Sequence, residues 1–95
     1  MSPAEAVEQV AACLEADRFT IREHVYRRLE ERHLMLPDLL SLLSEPDDAH
    51  SDGLDQHGRE RWFLNGRLHD GTVAETLVLL DCRPHATVFT IYWMD

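Results

Sequence analysis

The spacing of apolar residues changes its period once along this chain, and that switch limits the fold more than any other feature. Val7, Val10, Ala11 and Leu14 recur at i, i+3, i+4 and i+7, and Leu36, Leu39, Leu40 and Leu43 repeat the helical spacing. Both sets predict amphipathic helices. From Glu60 onwards the chain offers strand-forming runs instead, Glu60 to Leu64, Val73 to Leu80 and Ala86 to Trp93, with turn formers between them. Short connections between consecutive strands imply an antiparallel meander. Helices first and strands afterwards is the α+β pattern, so the expectation is two to three N-terminal helices packed on a three- to four-stranded antiparallel meander sheet. With 95 residues the whole chain, 1–95, makes a single domain, because a second would have no core.

Local signals place the ends of these elements. Ser2-Pro3-Ala4-Glu5 reads as a capping box with proline at the first helical position, which predicts a leading helix over 3–16. Thr20-Ile21-Arg22-Glu23 has the same form and predicts a second helix capped by Thr20 and running to about residue 33. Val25, Tyr26 and Leu29 supply its apolar side. Pro37 fits only near a helix start, so a short third helix follows and ends near Ser44. Residues 46–58 are turn formers and acids with Leu54 as the one large apolar residue, and they read as an acidic loop. Arg18 to Thr20 would suit a short strand at a sheet edge. In the last strand Thr87, Phe89, Ile91 and Trp93 alternate with Val88, Thr90 and Tyr92. Both sets are apolar enough that the pattern does not say which side meets the helices.

Charge narrows the function. Eighteen acidic residues against nine basic ones give −9 at neutral pH, which argues against a general nucleic-acid binder. Residues 18–33 depart from this, with a net +2 and both His24 and His33. Every base is arginine, so an anion site here must use the planar guanidinium fork. No apolar run approaches the ~18 residues of a membrane helix. Glu5 and Glu8 stand where a signal peptide needs a basic region, so a cytoplasmic location without membrane contact is expected. Cys13, on the flank of the first helix, and Cys82 then read as unpaired, reduced thiols.

His24, Arg28 and Arg32 follow one another at i, i+4 and i+8 on the second helix and form one polar stripe beside Val25 and Leu29. With Thr20 as cap, His24 lies just inside the first turn, where the helix dipole favours anions. An imidazole beside guanidinium groups suits metal-free phosphodiester chemistry, in which the ring moves a proton while arginines stabilise the added negative charge. The plainer reading pairs Arg27, Arg28 and Arg32 with Glu23, Glu30 and Glu31 on a solvated helix face. His50 and His57, among Asp47, Asp48, Asp52 and Asp55, offer metal-type ligands, but their spacing matches no zinc pattern. No metal and no cofactor are expected. His69 and His85 lie in turns. Of the rings Trp62, Phe63, Phe89, Tyr92 and Trp93, some must fill the core, and the others can serve a homodimer contact or an antitoxin-binding surface.

The segment from Thr20 to Leu34 resembles the opening motif of a family of small bacterial domains of unknown function. That motif is a His-x3-Arg-x3-Arg helix followed by a short helix and a strand meander. The family's closing strand often reads Thr-aliphatic-Tyr, and Thr90-Ile91-Tyr92 stands in that place. The resemblance covers about residues 18–93. The family looks related to the RelE- and BrnT-type toxins, compact α+β ribonucleases of toxin–antitoxin pairs. The resemblance implies metal-independent endoribonuclease activity, or descent from it, with His24, Arg28 and Arg32 as catalytic residues and Thr90 and Tyr92 lining the substrate site. RNA and an antitoxin would be the partners. Two features depart from the pattern: those toxins are typically basic, and the family usually has glycine where His33 stands. A different class of function also suits the charge, namely a non-enzymatic, acidic immunity- or antitoxin-like protein that covers a basic partner. Arginines around His24 in an open cleft would favour the enzyme; a continuous acidic face with His24 buried would favour the binder.

Overall fold

A computed structural model describes residues 1–81 and 83–94, so Cys82 lies outside the described residues. Helices α1 (Pro3–Glu15), α2 (Glu23–Glu31) and α3 (Leu36–Ser44) accompany strands β1 (Phe19–Ile21), β2 (Asp48–Leu54), β3 (Glu60–Arg67), β4 (Val73–Asp81) and β5 (His85–Trp93). The strands form one mixed sheet in the order β1-β5-β4-β3-β2. The fold is therefore α+β as expected, but the sheet has five strands because each edge of the predicted meander gains one. Among the described residues no helix is long and apolar enough to cross a membrane.

The capping box of α1 forms as its sequence predicts. The Ser2 hydroxyl accepts the Glu5 N–H at 3.2 Å, and the Glu5 carboxylate accepts the Ser2 N–H at 2.9 Å. The expected Thr20 cap does not form. Thr20 lies in β1, which pairs in parallel with β5 from Phe19↔Ala86 to Ile21↔Val88. The Ala86 N–H donates to the Arg18 carbonyl and the Arg22 N–H to the Val88 carbonyl, so the chain stays extended through Thr20. The N-cap is Arg22, whose side chain makes no capping bond. A cap stabilises by only about 1 kcal/mol, and several ladder bonds outweigh it.

Helices α1 and α2 are each followed by a left-handed residue. After α2, His33 has φ 57°, the Leu34 N–H reaches the Leu29 carbonyl at 2.9 Å, and the His33 N–H reaches Glu30 at 3.0 Å. This is the Schellman arrangement, with Leu29 and Leu34 both in the core. Asp17, at φ 59°, closes α1 in the same way, with the Arg18 N–H on the Cys13 carbonyl at 2.8 Å.

The acidic stretch is not wholly a loop. β2 pairs antiparallel with β3 from Asp48↔Asn65 to Ser51↔Trp62, and its register shifts before Leu54↔Glu60. Ala49 is its one buried residue, so no apolar alternation announces the strand. Asp48 accepts its neighbour Ala49's N–H at 2.9 Å and Ser51 accepts that of Gly53 at 3.2 Å, which blunts an exposed sheet edge.

The helices cover one face of the sheet. Val10, Cys13, Val25, Leu29, Leu39 and Leu43 meet Trp62, Leu64, Val78, Leu80, Val88 and Ile91 in a single core. Cys13 is thus a core residue rather than a flanking one. Leu77 and Leu79 are also buried, at 2% and 3% exposure, but stand outside that core, on the face without helices. The strict alternation expected along β5 fails at one point. Val88 pairs with Val78 and Thr90 with Leu77, so a bulge at Phe89 resets the pleat. Ile91 and Trp93 consequently join Val88 on the helix side, while Phe89 turns to the open face.

Candidate functional site

β1 pairs with only the first part of β5, and α2 takes over that edge where β1 ends. Four residues of helix rise about 6 Å and two residues of strand about 6.6 Å, so a polar stripe at i, i+4 and i+8 keeps step with alternate positions of a strand beside it. The predicted stripe does this along β5. The His24 ring meets the Phe89 ring edge-on, with centroids 6.5 Å apart and planes at 81°. Arg28 donates to the Ile91 main-chain carbonyl through Nη1. The Arg32 guanidinium lies 4.8 Å from the centre of the Trp93 ring. Arg28 and Arg32 therefore brace α2 against the sheet edge, and only His24 approaches the open face. Arg27 points elsewhere and pairs with Glu23 at 3.2 Å, both of them well exposed.

The Phe89 ring that meets His24 also lines a groove of about 700 Å³ on the open face, together with Arg22, Arg59, Arg61, His57, Leu79, Asp52 and Asp55; His24 itself is not part of the lining. The Arg22 guanidinium lies over the Phe89 ring, its Cζ 4.6 Å from the ring centre, and the same ring meets His24. Among the described residues no carboxylate pairs with it. The other two groove arginines are neutralised, Arg61 by Asp52 at 2.9 Å and Arg59 by Asp55 at 2.7 Å. Asp55 also accepts the N–H groups of His57 and Arg59, each at 2.8 Å. Burial works to raise the Asp55 pKa, but the Arg59 and His57 donors outweigh it and hold the carboxyl below its ordinary value.

The remaining predicted residues separate. Thr90 lies opposite Leu77 on β4, and the exposed Tyr92 ring stands 6.4 Å from Phe63 on the open face. His50 sits on the open face against Phe63 at 5.4 Å, and His57 lies at the turn after β2. Among the described residues no three metal-capable side chains converge. Burial pushes the Cys13 thiol up against a weaker opposing pull from Arg18, which makes it a poor nucleophile. Sequence reasoning missed Arg22, Arg59 and Arg61. Arg61 and Phe63 alternate with Trp62 and Leu64 and could have been placed on one face, but nothing local sets Arg22 over Phe89, sixty-seven positions away.

Comparison with protein-family models, curated proteins and solved structures finds no match to this chain.

Proposed function

We propose that this protein is an RNA-directed domain of the RelE/BrnT ribonuclease-toxin type, acting without metal at the groove on its open sheet face. The observation that carries the reading is Arg22, the groove guanidinium that no carboxylate among the described residues neutralises, placed over the ring that also meets His24. A phosphodiester at Arg22 would meet a planar fork suited to two of its oxygens. His24 takes the proton from the ribose 2′-hydroxyl as that oxygen attacks phosphorus. The 5′-oxygen leaves and takes a proton from water, and a cyclic phosphate remains. Arg22 stabilises the charge that builds on the non-bridging oxygens. Arg28 and Arg32 keep α2, and with it His24, in place. The chain is acidic overall, but Glu5, Glu8 and Glu15 belong to α1 in the layer behind the sheet, which leaves the groove locally rich in arginine.

A second reading keeps the non-enzymatic acidic binder, because Asp52 and Asp55 cancel two of the three groove arginines. Purified protein incubated with diverse RNAs at low and moderate salt separates the two. Cleavage that disappears in both Arg22→Ala and His24→Ala, while Arg27→Ala stays active, supports the ribonuclease. Intact RNA under every condition refutes it and leaves the binder.

A further inference from the structure

We infer that the half of the open face beyond the groove is a subsite for a single unpaired guanine base, built by Phe63, Tyr92, His50 and Glu75. The inference rests on the RNA reading of the same face and specifies which nucleotide that face selects. His50 and Phe63 are directly opposed across β2 and β3, with centroids 5.4 Å apart and planes inclined by 32°. Phe63 and Tyr92 continue the row at 6.4 Å and 47°. Leu77, opposite both Phe63 and Thr90, closes the floor beneath them. Leu77 and Leu79, which lines the groove, are two residues apart on β4, so the rings and Arg22's groove adjoin within about 7 Å.

Rings on an open sheet are stacking platforms for unpaired bases and tolerate any base; hydrogen bonds to the base edge supply the choice. Here the edge reader is Glu75, opposite Tyr92 in the β4–β5 ladder. Its side chain is 18% exposed, and His50 Nε2, 3.7 Å away, stands at ion-pair distance but beyond hydrogen-bond reach. Among the described residues no group donates a hydrogen bond to it. Its oxygens keep contact with solvent and take no hydrogen bond from those residues, so both are open to donors on a ligand. Guanine presents two adjacent donors on its Watson–Crick edge, N1–H and the N2 amino group, and these match the two oxygens of one carboxylate. Adenine and cytosine present a single amino group there and uracil a single N–H. A base stacked on Phe63 and Tyr92 with its edge toward Glu75 is therefore held best when it is guanine.

The test is the affinity of fluorescently labelled five-nucleotide single strands, 2′-O-methylated to prevent cleavage, with guanine, inosine, adenine or cytosine at the centre of a uridine run. Guanine should bind about tenfold or more tighter than adenine, the usual worth of a two-bond base contact. Inosine, which keeps N1–H and lacks the amino group, should fall between them. Glu75→Gln should remove most of the guanine preference and leave adenine binding within about twofold. Phe63→Leu should weaken every strand. The wild-type ranking of guanine, inosine and adenine tests the proposal without any substitution, should a variant fail to fold. Binding that depends on Arg22 but is equal for all four centres overturns the guanine subsite and leaves the RNA reading standing. Absence of binding to every strand, with Arg22→Ala indistinguishable from wild type, overturns both. A Phe63→Leu variant that changes only the sedimentation of the protein overturns the subsite in favour of a contact between copies.

Discussion

Replacing His33 with glycine should stabilise the protein, although it deletes a side chain and adds none. The residue closes the Schellman motif after α2 at φ 57°, where an L-residue's Cβ crowds the following carbonyl. Relief of that crowding contributes about 1–2 kcal/mol, and glycine's extra backbone freedom in the unfolded chain costs about 0.5–1 kcal/mol. The His33 side chain is exposed, so little packing is lost. The net expectation is a gain of about 0.5–1 kcal/mol. Unfolding entropy of roughly 0.2 kcal/mol/K for a chain of this length turns that into a melting temperature about 3–5 °C higher. Thermal unfolding followed by circular dichroism at pH 7.5 measures it. Glu31→Gly, in right-handed helix two residues earlier, is the control and should cost about 1 kcal/mol. A His33→Gly protein that melts below wild type would refute the reasoning, since the backbone at 33 could not then be left-handed.

Three other outcomes follow from specific contacts. Arg28→Ala removes the charge-assisted bond to the Ile91 carbonyl and should cost about 1.5–3 kcal/mol in urea denaturation, whereas the exposed Arg27→Ala should change stability by less than about 0.5 kcal/mol. Equal losses would show that the stripe does not brace α2. Gly66 faces α3, and a Cβ there would stand 3.3 Å from Leu42 Cγ, so Gly66→Val should overpack that contact and cost about 1–3 kcal/mol, read by the same melt. Unchanged stability would mean that α3 sits farther from β3. Because the Asp55 carboxyl is held below its ordinary value in the folded protein, its contribution is complete above the unfolded value near about 4 and fades as pH falls through the folded one. Asp55→Asn should therefore melt lower than wild type at neutral pH, and the two should converge in acid; a gap that widens on acidification would contradict the Asp55 hydrogen bonds.

The two readings of the His-x3-Arg-x3-Arg stripe show how far local sequence reaches. Its spacing correctly predicts one face of one helix, because helical periodicity needs no tertiary partner. What that face touches depends on β5, more than sixty residues later, whose edge happens to rise at the same rate per step. Two arginines that a linear reading assigns to phosphate are spent on a carbonyl and an indole ring. Arg22, a cap residue with no motif of its own, meets the groove instead.

The same division runs through the fold. Residue chemistry alone determined α1 with its capping box, the start of α3 at Pro37, and strands β3, β4 and β5, since each carries its own apolar period and its own punctuation. Three features were decided only in the assembled sheet. Between the short edge strand that Arg18 to Thr20 suited and the helix cap that Thr20 could make, the strand won, because parallel pairing with β5 offers more hydrogen bonds than a cap does. Residues 48–54 became strand with almost nothing apolar to bury, because main-chain pairing with β3 needs backbone and not side chains. The bulge at Phe89 turned that ring to the open face and Ile91 to the core, a choice that period-two alternation cannot encode. Local propensity is written in neighbouring residues; pairing partners and the face a ring finally takes are set by segments far apart in the chain.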